Sequence, residues 1–97
     1  MTGDEAIRRL QQHEADLKRL GVEHLCLFGS TARGEARHDS DVDLFFDYKK
    51  GKLGLFELMD VKEYAASILC RKTDIMTRDS LHRMLRQTIE ATAVRVF

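Results

Sequence analysis

Two helical patterns alternate along this chain with three short strand-like segments, and this alternation restricts the possible folds more than any other feature. Residues 2–20 and 55–71 carry apolar side chains every three or four positions, as amphipathic helices do. Residues 24–28, 41–47 and 73–77 are short and apolar or β-branched, which is typical of strands. The pattern predicts an α/β (α+β) domain, a small mixed sheet of about three strands with helices packed on it. We expect residues 1–97 to form a single domain, because a chain of 97 residues builds one core.

Local signals predict where the first helix begins and ends. Thr2 and Glu5 have the spacing of a capping box, and Gly21 suits the left-handed residue that follows a helix. Between the helix caps, the apolar stripe consists of Ile7, Leu10, Leu17 and Leu20. Residues 30–36, which follow the first strand, could form a short helix or a loop.

The last quarter of the chain predicts one more helix. Asp79 can cap this helix at its N-terminus. Its inward-facing apolar side chains would be Leu81, Leu85 and Ile89. Residues 94–97 could continue the helix or turn extended, and the pattern leaves both open.

The charge balance and the cysteine content exclude several classes of protein. Lys and Arg total 16, as do Asp and Glu, so the net charge of zero argues against direct nucleic-acid binding. No apolar run is long enough to cross a membrane, and the polar N-terminus does not resemble a secretory signal. Cys26 and Cys70 are too few for a disulfide framework and lack metal-ligand spacing. We therefore expect a cytoplasmic protein with reduced thiols.

A glycine and a serine directly after the first strand suggest a phosphate-binding turn. Gly29 allows a sharp turn and a close approach of phosphate to the backbone, since it has no Cβ atom. Ser30 adds a hydroxyl donor, and Arg33 can bind phosphate oxygens with two parallel hydrogen bonds. These three residues are therefore the candidate nucleotide-binding residues.

Acidic residues on the second and third strands suggest a metal site. Asp41 and Asp43 are two positions apart, so both carboxylates point to the same side of their strand, opposite Val42 and Leu44. Two like charges that lie so close repel each other unless a cation neutralises them. Oxygen ligands suit Mg²⁺, whose coordination nucleotide phosphates can complete. Asp74 on the third strand is the candidate for a third carboxylate in a site with two metal ions.

The same residues resemble a known family. The sequence is similar to the nucleotidyltransferase fold of the DNA polymerase β superfamily, and specifically to its minimal nucleotidyltransferase (MNT) branch. The matching segments are Gly29-Ser30, Arg33-Gly34-Glu35-Ala36, Ser40-Asp41-Val42-Asp43-Leu44 and Thr73-Asp74-Ile75. The resemblance spans nearly the whole chain. The loop before the acids lacks the proline that is often found there in the family.

The resemblance implies a reaction, its cofactors and a partner. Asp41, Asp43 and Asp74 would be the catalytic residues and would bind two Mg²⁺ ions, while Ser30 and Arg33 would hold the phosphates of ATP. Members of this branch are usually encoded beside a HEPN-domain ribonuclease toxin, to which they are the antitoxin. Some transfer AMP from ATP to a tyrosine of that toxin. The resemblance thus implies an antitoxin that could form a hetero-oligomer with its HEPN partner.

Two other functions fit the sequence less well. A non-catalytic antitoxin would inhibit the toxin by binding alone, but such a protein has no need of carboxylates that repel each other. A small-molecule nucleotidyltransferase usually has an extra domain that binds the acceptor, and 97 residues leave no room for one. We therefore expect another protein to supply the acceptor.

Overall fold

A four-stranded mixed sheet forms the centre of the fold. The computed structural model describes residues 2–29, 41–49, 51 and 54–97. The strands, in chain order, are β1 (Val22–Phe28), β2 (Val42–Tyr48), β3 (Thr73–Thr77) and β4 (Val94–Arg95). The helices are α1 (Gly3–Gln12), α2 (Glu14–Arg19), α3 (Leu55–Leu69) and α4 (Arg83–Thr92), with a 3₁₀ turn at Arg78–Ser80.

The order of the strands in the sheet is β3-β2-β1-β4. The central strands β1 and β2 are antiparallel, and β4 is antiparallel to β1 at one edge. At the other edge β3 runs parallel to β2, so the chain must cross over between them, and α3 is the helix of that crossover. The parallel pairing places Asp43 and Asp74 on two neighbouring strands.

One face of the sheet carries the main hydrophobic core. Helices α1, α2 and α3 cover this face, on which the alternating residues Val42, Leu44 and Phe46 of β2 are fully buried. The other buried members of the core are Ala6, Leu10, Leu17, Val22, Leu25, Leu27, Val61, Ala65, Leu69, Ile75 and Val96. The predicted division of β2 into an apolar and an acidic face is thus observed.

The opposite face carries a much smaller apolar cluster. Its buried residues are Cys26, Phe45 and Leu81, and Ile89 and Ala93 pack against them from α4 and its end. Phe28 and Met76 complete the cluster from the sheet. Successive side chains of a strand point to opposite faces, so Asp43 lies on the same face as Phe45 and opposite Leu44. This thinly covered face therefore also carries the acidic residues of β2.

The first predicted helix is in fact two helices. The Thr2 hydroxyl caps α1 by accepting a hydrogen bond from the Glu5 N–H at 3.2 Å, as predicted, and Gly21 has a φ of +110°. The helix is interrupted at His13, whose Nδ1 lies 3.2 Å from the Tyr64 hydroxyl of α3. The break between α1 and α2 is therefore accompanied by a contact with α3, which is distant in sequence. The apolar pattern of residues 2–20 alone could not predict that break.

The last part of the chain also differs from the prediction. Asp79 lies in the 3₁₀ turn and does not cap α4; instead the His82 side chain accepts a hydrogen bond from the Met84 N–H at 3.2 Å. Because the helix begins only at Arg83, Leu81 precedes it, and Leu85 faces solvent with 56% of its surface exposed. Ile89 does pack inward. After α4 the chain is extended, and β4 adds a fourth strand to the three expected.

No helix among the described residues is long and apolar enough to cross a membrane.

Candidate active site

The pairing of β2 with β3 brings two predicted site residues next to each other. In the parallel register Asp43 is the partner of Asp74, one position beyond the pair Val42 and Thr73. Neighbouring strands are about 4.8 Å apart, and paired residues in parallel strands project their side chains to the same face. Asp43 is partly buried and Asp74 is exposed. Asp43 and Asp74 therefore lie side by side on neighbouring strands, the first partly buried and the second exposed.

Asp41 lies just before β2 at the same end of the strand pair. The Val42 N–H donates to the Lys72 carbonyl at 3.1 Å, so the ladder between the strands already begins at this point. The Asp41 carboxylate is 4.0 Å from the Lys72 amine, and 46% of the Asp41 side chain is exposed. By the alternation along the strand, Asp41 lies on the same side as Asp43. All three predicted acids therefore lie at one end of β2 and β3.

Gly29 brings the end of β1 against the Asp43 carboxylate. Phe28 pairs with Asp43 in the antiparallel register, and Gly29 follows with a φ of +76°, a conformation that L side chains rarely adopt. A Cβ atom at position 29 would overlap the Asp43 carboxylate oxygen and lie 3.1 Å from its carboxyl carbon. The glycine is therefore needed for two reasons, its backbone conformation and this close approach. Ser30 and Arg33 lie outside the described residues.

The acids suit a divalent metal ion only together with a further ligand. Within the described ranges, no group of three His, Cys, Asp or Glu side chains is assembled so as to hold a metal ion. Magnesium is usually bound by one or two carboxylates, with water and substrate phosphates as the remaining ligands. Adjacent carboxylates on an open edge, beside a glycine turn, match that kind of site. Carboxylates are the ligand type that Mg²⁺ prefers, and Asp43 and Asp74, with Asp41 at the same strand end, are the ones gathered here.

A second charged cluster on the same face links the sheet to α4. The Arg78 Nε donates to the Asp47 carboxylate at 2.8 Å, and an amino group of Arg78 lies 3.6 Å from Glu90 of α4. The guanidinium also stacks 4.9 Å from the centre of the Phe45 ring, which lies 5.6 Å from the Phe28 ring. This cluster connects α4 through two aromatic rings to the strand end that carries Gly29.

The electrostatics of this cluster favour the charged forms. Burial acts to lower the pKa of Arg78, but the hydrogen bond to Asp47 and the negative charges around the guanidinium, those of Asp47 and Glu90 among them, together outweigh it, so the pKa is raised. The hydrogen bond from Arg86, at 2.8 Å, lowers the pKa of Glu90 below its usual value. Burial raises the pKa of the nearby Cys26 thiol, so that it stays protonated. Cys26 is therefore a core residue rather than a nucleophile.

Sequence reasoning missed Lys72 and Arg78. Both follow from the register, since the same offset of 31 positions that joins Asp43 to Asp74 also joins Asp41 to Lys72 and Asp47 to Arg78. Opposite charges at a constant offset on two predicted parallel strands are therefore the signal that could have identified them. This charge pattern can be recognised only once it is known that β2 pairs with β3 and in which register.

One groove of the described surface lies away from the acids. A groove of about 460 Å³ lies at the other end of β1 and β2, where Val22 pairs with Tyr48. Its lining residues are Lys18, Arg19, Gly21, Val22, Glu23, His24 and Lys49. The acids instead lie at the opposite end of β2, outside this groove.

Comparison with known proteins identifies the family. Residues 10–96 match the family of nucleotidyltransferase domains. The chain belongs to that family. This nucleotidyltransferase is 32% identical over 97 residues to the protein adenylyltransferase MntA of Thermococcus cleftensis, which covers 99% of this chain and 97% of the relative.

Solved structures share the fold of this nucleotidyltransferase. A protein solved as a candidate minimal nucleotidyltransferase has a TM-score of 0.83 at 30% identity, over 97% of this chain and 95% of that one. A toxin–antitoxin complex crystallised with AMP-PNP has a TM-score of 0.71 at 20% identity, over 90% of this chain and 72% of that one. The mixed sheet with its helices is thus the nucleotidyltransferase fold, with four strands.

Proposed function

We propose that this nucleotidyltransferase is an antitoxin that transfers AMP from ATP to a tyrosine hydroxyl of a partner HEPN-domain toxin, and thereby neutralises it. The observation that carries the proposal is the parallel register of Asp43 with Asp74, beside a glycine turn that lies against the Asp43 carboxylate. The relative named protein adenylyltransferase and the toxin–antitoxin complex of the same fold support the class of acceptor. The proposal places the protein in the cytoplasm, where ATP is available, as a single domain over residues 1–97.

Asp41, Asp43 and Asp74 would hold two Mg²⁺ ions together with the phosphates of ATP. When bound, the metal ions would neutralise charge on the phosphates and on the leaving pyrophosphate. Gly29 gives the backbone room for the phosphates to approach. Ser30 would donate its hydroxyl to the terminal phosphates, and Arg33 would add a second contact.

In the proposed reaction the tyrosine oxygen attacks the α-phosphorus of ATP. A new bond forms between that oxygen and phosphorus, the bond between the α-phosphorus and the bridging oxygen breaks, and pyrophosphate leaves. Asp74 is exposed, whereas Asp43 is partly buried against Gly29, so Asp74 is better placed than Asp43 to accept the tyrosine proton. The remaining contribution of the protein is positioning and charge neutralisation.

The direct test is transfer of radioactive label from ATP to the toxin. Wild-type protein incubated with [α-³²P]ATP, MgCl₂ and a purified HEPN-domain toxin should label the toxin, and chelation of the metal should stop the transfer. Asp43→Asn and Asp74→Asn should each lower the rate at least about a hundredfold, because metal ions supply several kcal/mol of charge stabilisation. Asp60→Asn, the same change at an exposed position of α3, should retain the wild-type rate.

A growth experiment separates catalysis from inhibition by contact. The toxin is expressed with wild-type protein, with Asp43→Asn or with Asp60→Asn at equal levels. Loss of protection with Asp43→Asn alone would support neutralisation by AMP transfer. Full protection by Asp43→Asn would instead identify an antitoxin that acts by binding. Labelling of a small alcohol without any toxin would point to a small-molecule nucleotidyltransferase.

A further inference from the structure

Lys72 lies beside the acids but has no role in the proposed function so far. Its carbonyl accepts the hydrogen bond from Val42 at the start of the ladder between β2 and β3, so its backbone is fixed. Its side chain is 86% exposed, and its amine reaches the Asp41 carboxylate only at 4.0 Å. Lys72 therefore combines an anchored backbone with a side chain that is free to move.

The pair of Lys72 and Asp41 contributes little to the stability of the fold. Ion pairs between exposed side chains typically contribute less than about 1 kcal/mol, because water screens the charges and ordering two long side chains is unfavourable. By comparison, Arg78 reaches Asp47 at 2.8 Å with both side chains only 30% exposed. The ion pair that stabilises this face is thus the one between Arg78 and Asp47, at the end of the strands away from the acids. The pair at the acid end can be broken at low cost.

The position of Lys72 also brings its charge within reach of a bound nucleotide. Lys72 directly precedes β3, so by the alternation of the strand residues 72 and 74 project to the same side and lie about 6.6 Å apart along the chain. The amine is a compact charge with three donors on a flexible four-carbon stem, and lysine binds phosphate as such a point charge. When metal ions occupy the carboxylates, Asp41 no longer needs the amine as its counter-ion.

We propose that Lys72 is a phosphate-binding residue, which leaves Asp41 and contacts the triphosphate when the nucleotide binds. This inference rests on the proposed function, because it requires the nucleotide at Asp43 and Asp74. In the free protein Lys72 offsets part of the repulsion among the acids. In the complex it stabilises the negative charge of the phosphate tail.

The test measures nucleotide binding by isothermal titration calorimetry, separately from transfer. Wild type, Lys72→Met, Lys72→Arg and Lys62→Met are titrated with Mg·ATP and with Mg·AMP. Lys62 is an exposed lysine of α3 and serves as the matched control. Loss of a charge-assisted contact should weaken Mg·ATP binding by about tenfold or more in Lys72→Met. Lys72→Arg and Lys62→Met should bind Mg·ATP within about twofold of wild type. The affinity for Mg·AMP, which has fewer phosphates, should fall less in Lys72→Met than the affinity for Mg·ATP does.

The opposite outcome is equally clear. If Lys72 is only a counter-ion of Asp41, its removal frees the carboxylate, so Lys72→Met should bind Mg·ATP as tightly as wild type or more tightly. That result would overturn the inference. The proposed function would still stand if wild type labels the toxin and Asp43→Asn does not. If wild type binds no Mg·ATP at all, the inference and the proposed function both fail.

Discussion

At the scale of single residues, Gly29 is the position where the backbone and the site depend on each other most directly. Its left-handed conformation disfavours any L side chain, and its neighbour is the Asp43 carboxylate. Gly29→Ala should therefore lower the transferase activity at least about tenfold, since the new methyl group displaces the Asp43 carboxylate, which the proposed reaction requires. The measurement is the rate of label transfer to the toxin.

Gly51→Ala is the matched control for this change. Gly51 has a φ of +82°, close to the +76° of Gly29, but a Cβ atom there would meet no atom of the described residues within 4 Å. Both variants should lose about 1 kcal/mol of stability from the left-handed backbone, whereas only Gly29→Ala should lose activity. Equal activity of the two variants would contradict the role given to the contact with Asp43.

The residues of the site differ in how far the sequence could predict them. Asp41 and Asp43 were predicted to share a face because a strand repeats every two residues, and this period is visible in one segment. Asp74 was predicted as the third carboxylate because it lies on another strand, and the family resemblance agreed, but nothing in residues 73–77 indicates which strand they pair with. Lys72 and Arg78 were missed for the same reason. The roles of Ser30 and Arg33 stay predictions.

At the scale of elements, α4 is attached to the acidic face by charged side chains as well as by the packing of Ile89. None of its residues is buried, and Glu90 connects it to Arg78 and thereby to Phe45. Sequence patterns could not place this helix correctly. They counted Leu81 as part of the helical repeat, whereas the 3₁₀ turn before Arg83 breaks the repeat and turns Leu85 outward.

The ion pairs of Glu90 predict a pH dependence of stability. The hydrogen bond from Arg86 lowers the pKa of Glu90 from 4.5, so the folded state favours the carboxylate. The stabilisation is therefore fully present above pH 4.5 and is lost as the pH falls through the lowered pKa. Wild type should be more stable than Glu90→Gln at pH 7, and the difference should shrink at pH 3, as measured by urea denaturation. A difference that stays constant between these pH values would argue against this origin.

At the scale of the whole molecule, the segment after α4 ties the sheet to the first helix. Val96 is 3% exposed in the main core, its N–H donates to the Leu25 carbonyl at 2.8 Å, and its carbonyl accepts from the Gln11 side chain at 2.9 Å. The sequence left residues 94–97 undecided because their conformation depends on pairing with β1. The alternation of helices and strands nevertheless predicted the class of fold, since it requires only local periodicity.

Val96→Ala should therefore destabilise the protein as a core substitution does. We expect a loss of about 2 kcal/mol in the free energy of unfolding, from the lost apolar burial and the cavity that remains. Val94→Ala is the same change two residues earlier, where 38% of the side chain is exposed, and should cost less than about 1 kcal/mol. Guanidinium denaturation of both variants measures the difference, and equal losses would contradict the assignment of Val96 to the core.

The unequal covering of the two faces of the sheet has a consequence for how such a protein can evolve. Three helices stabilise the side that carries Leu44 and Phe46, while the carboxylates occupy the side with only a few apolar contacts. Substitutions of the carboxylates should therefore change the chemistry of the site while lowering the free energy of unfolding only slightly. A descendant that had lost its acids would still fold, and it could persist as an inhibitor that acts by contact.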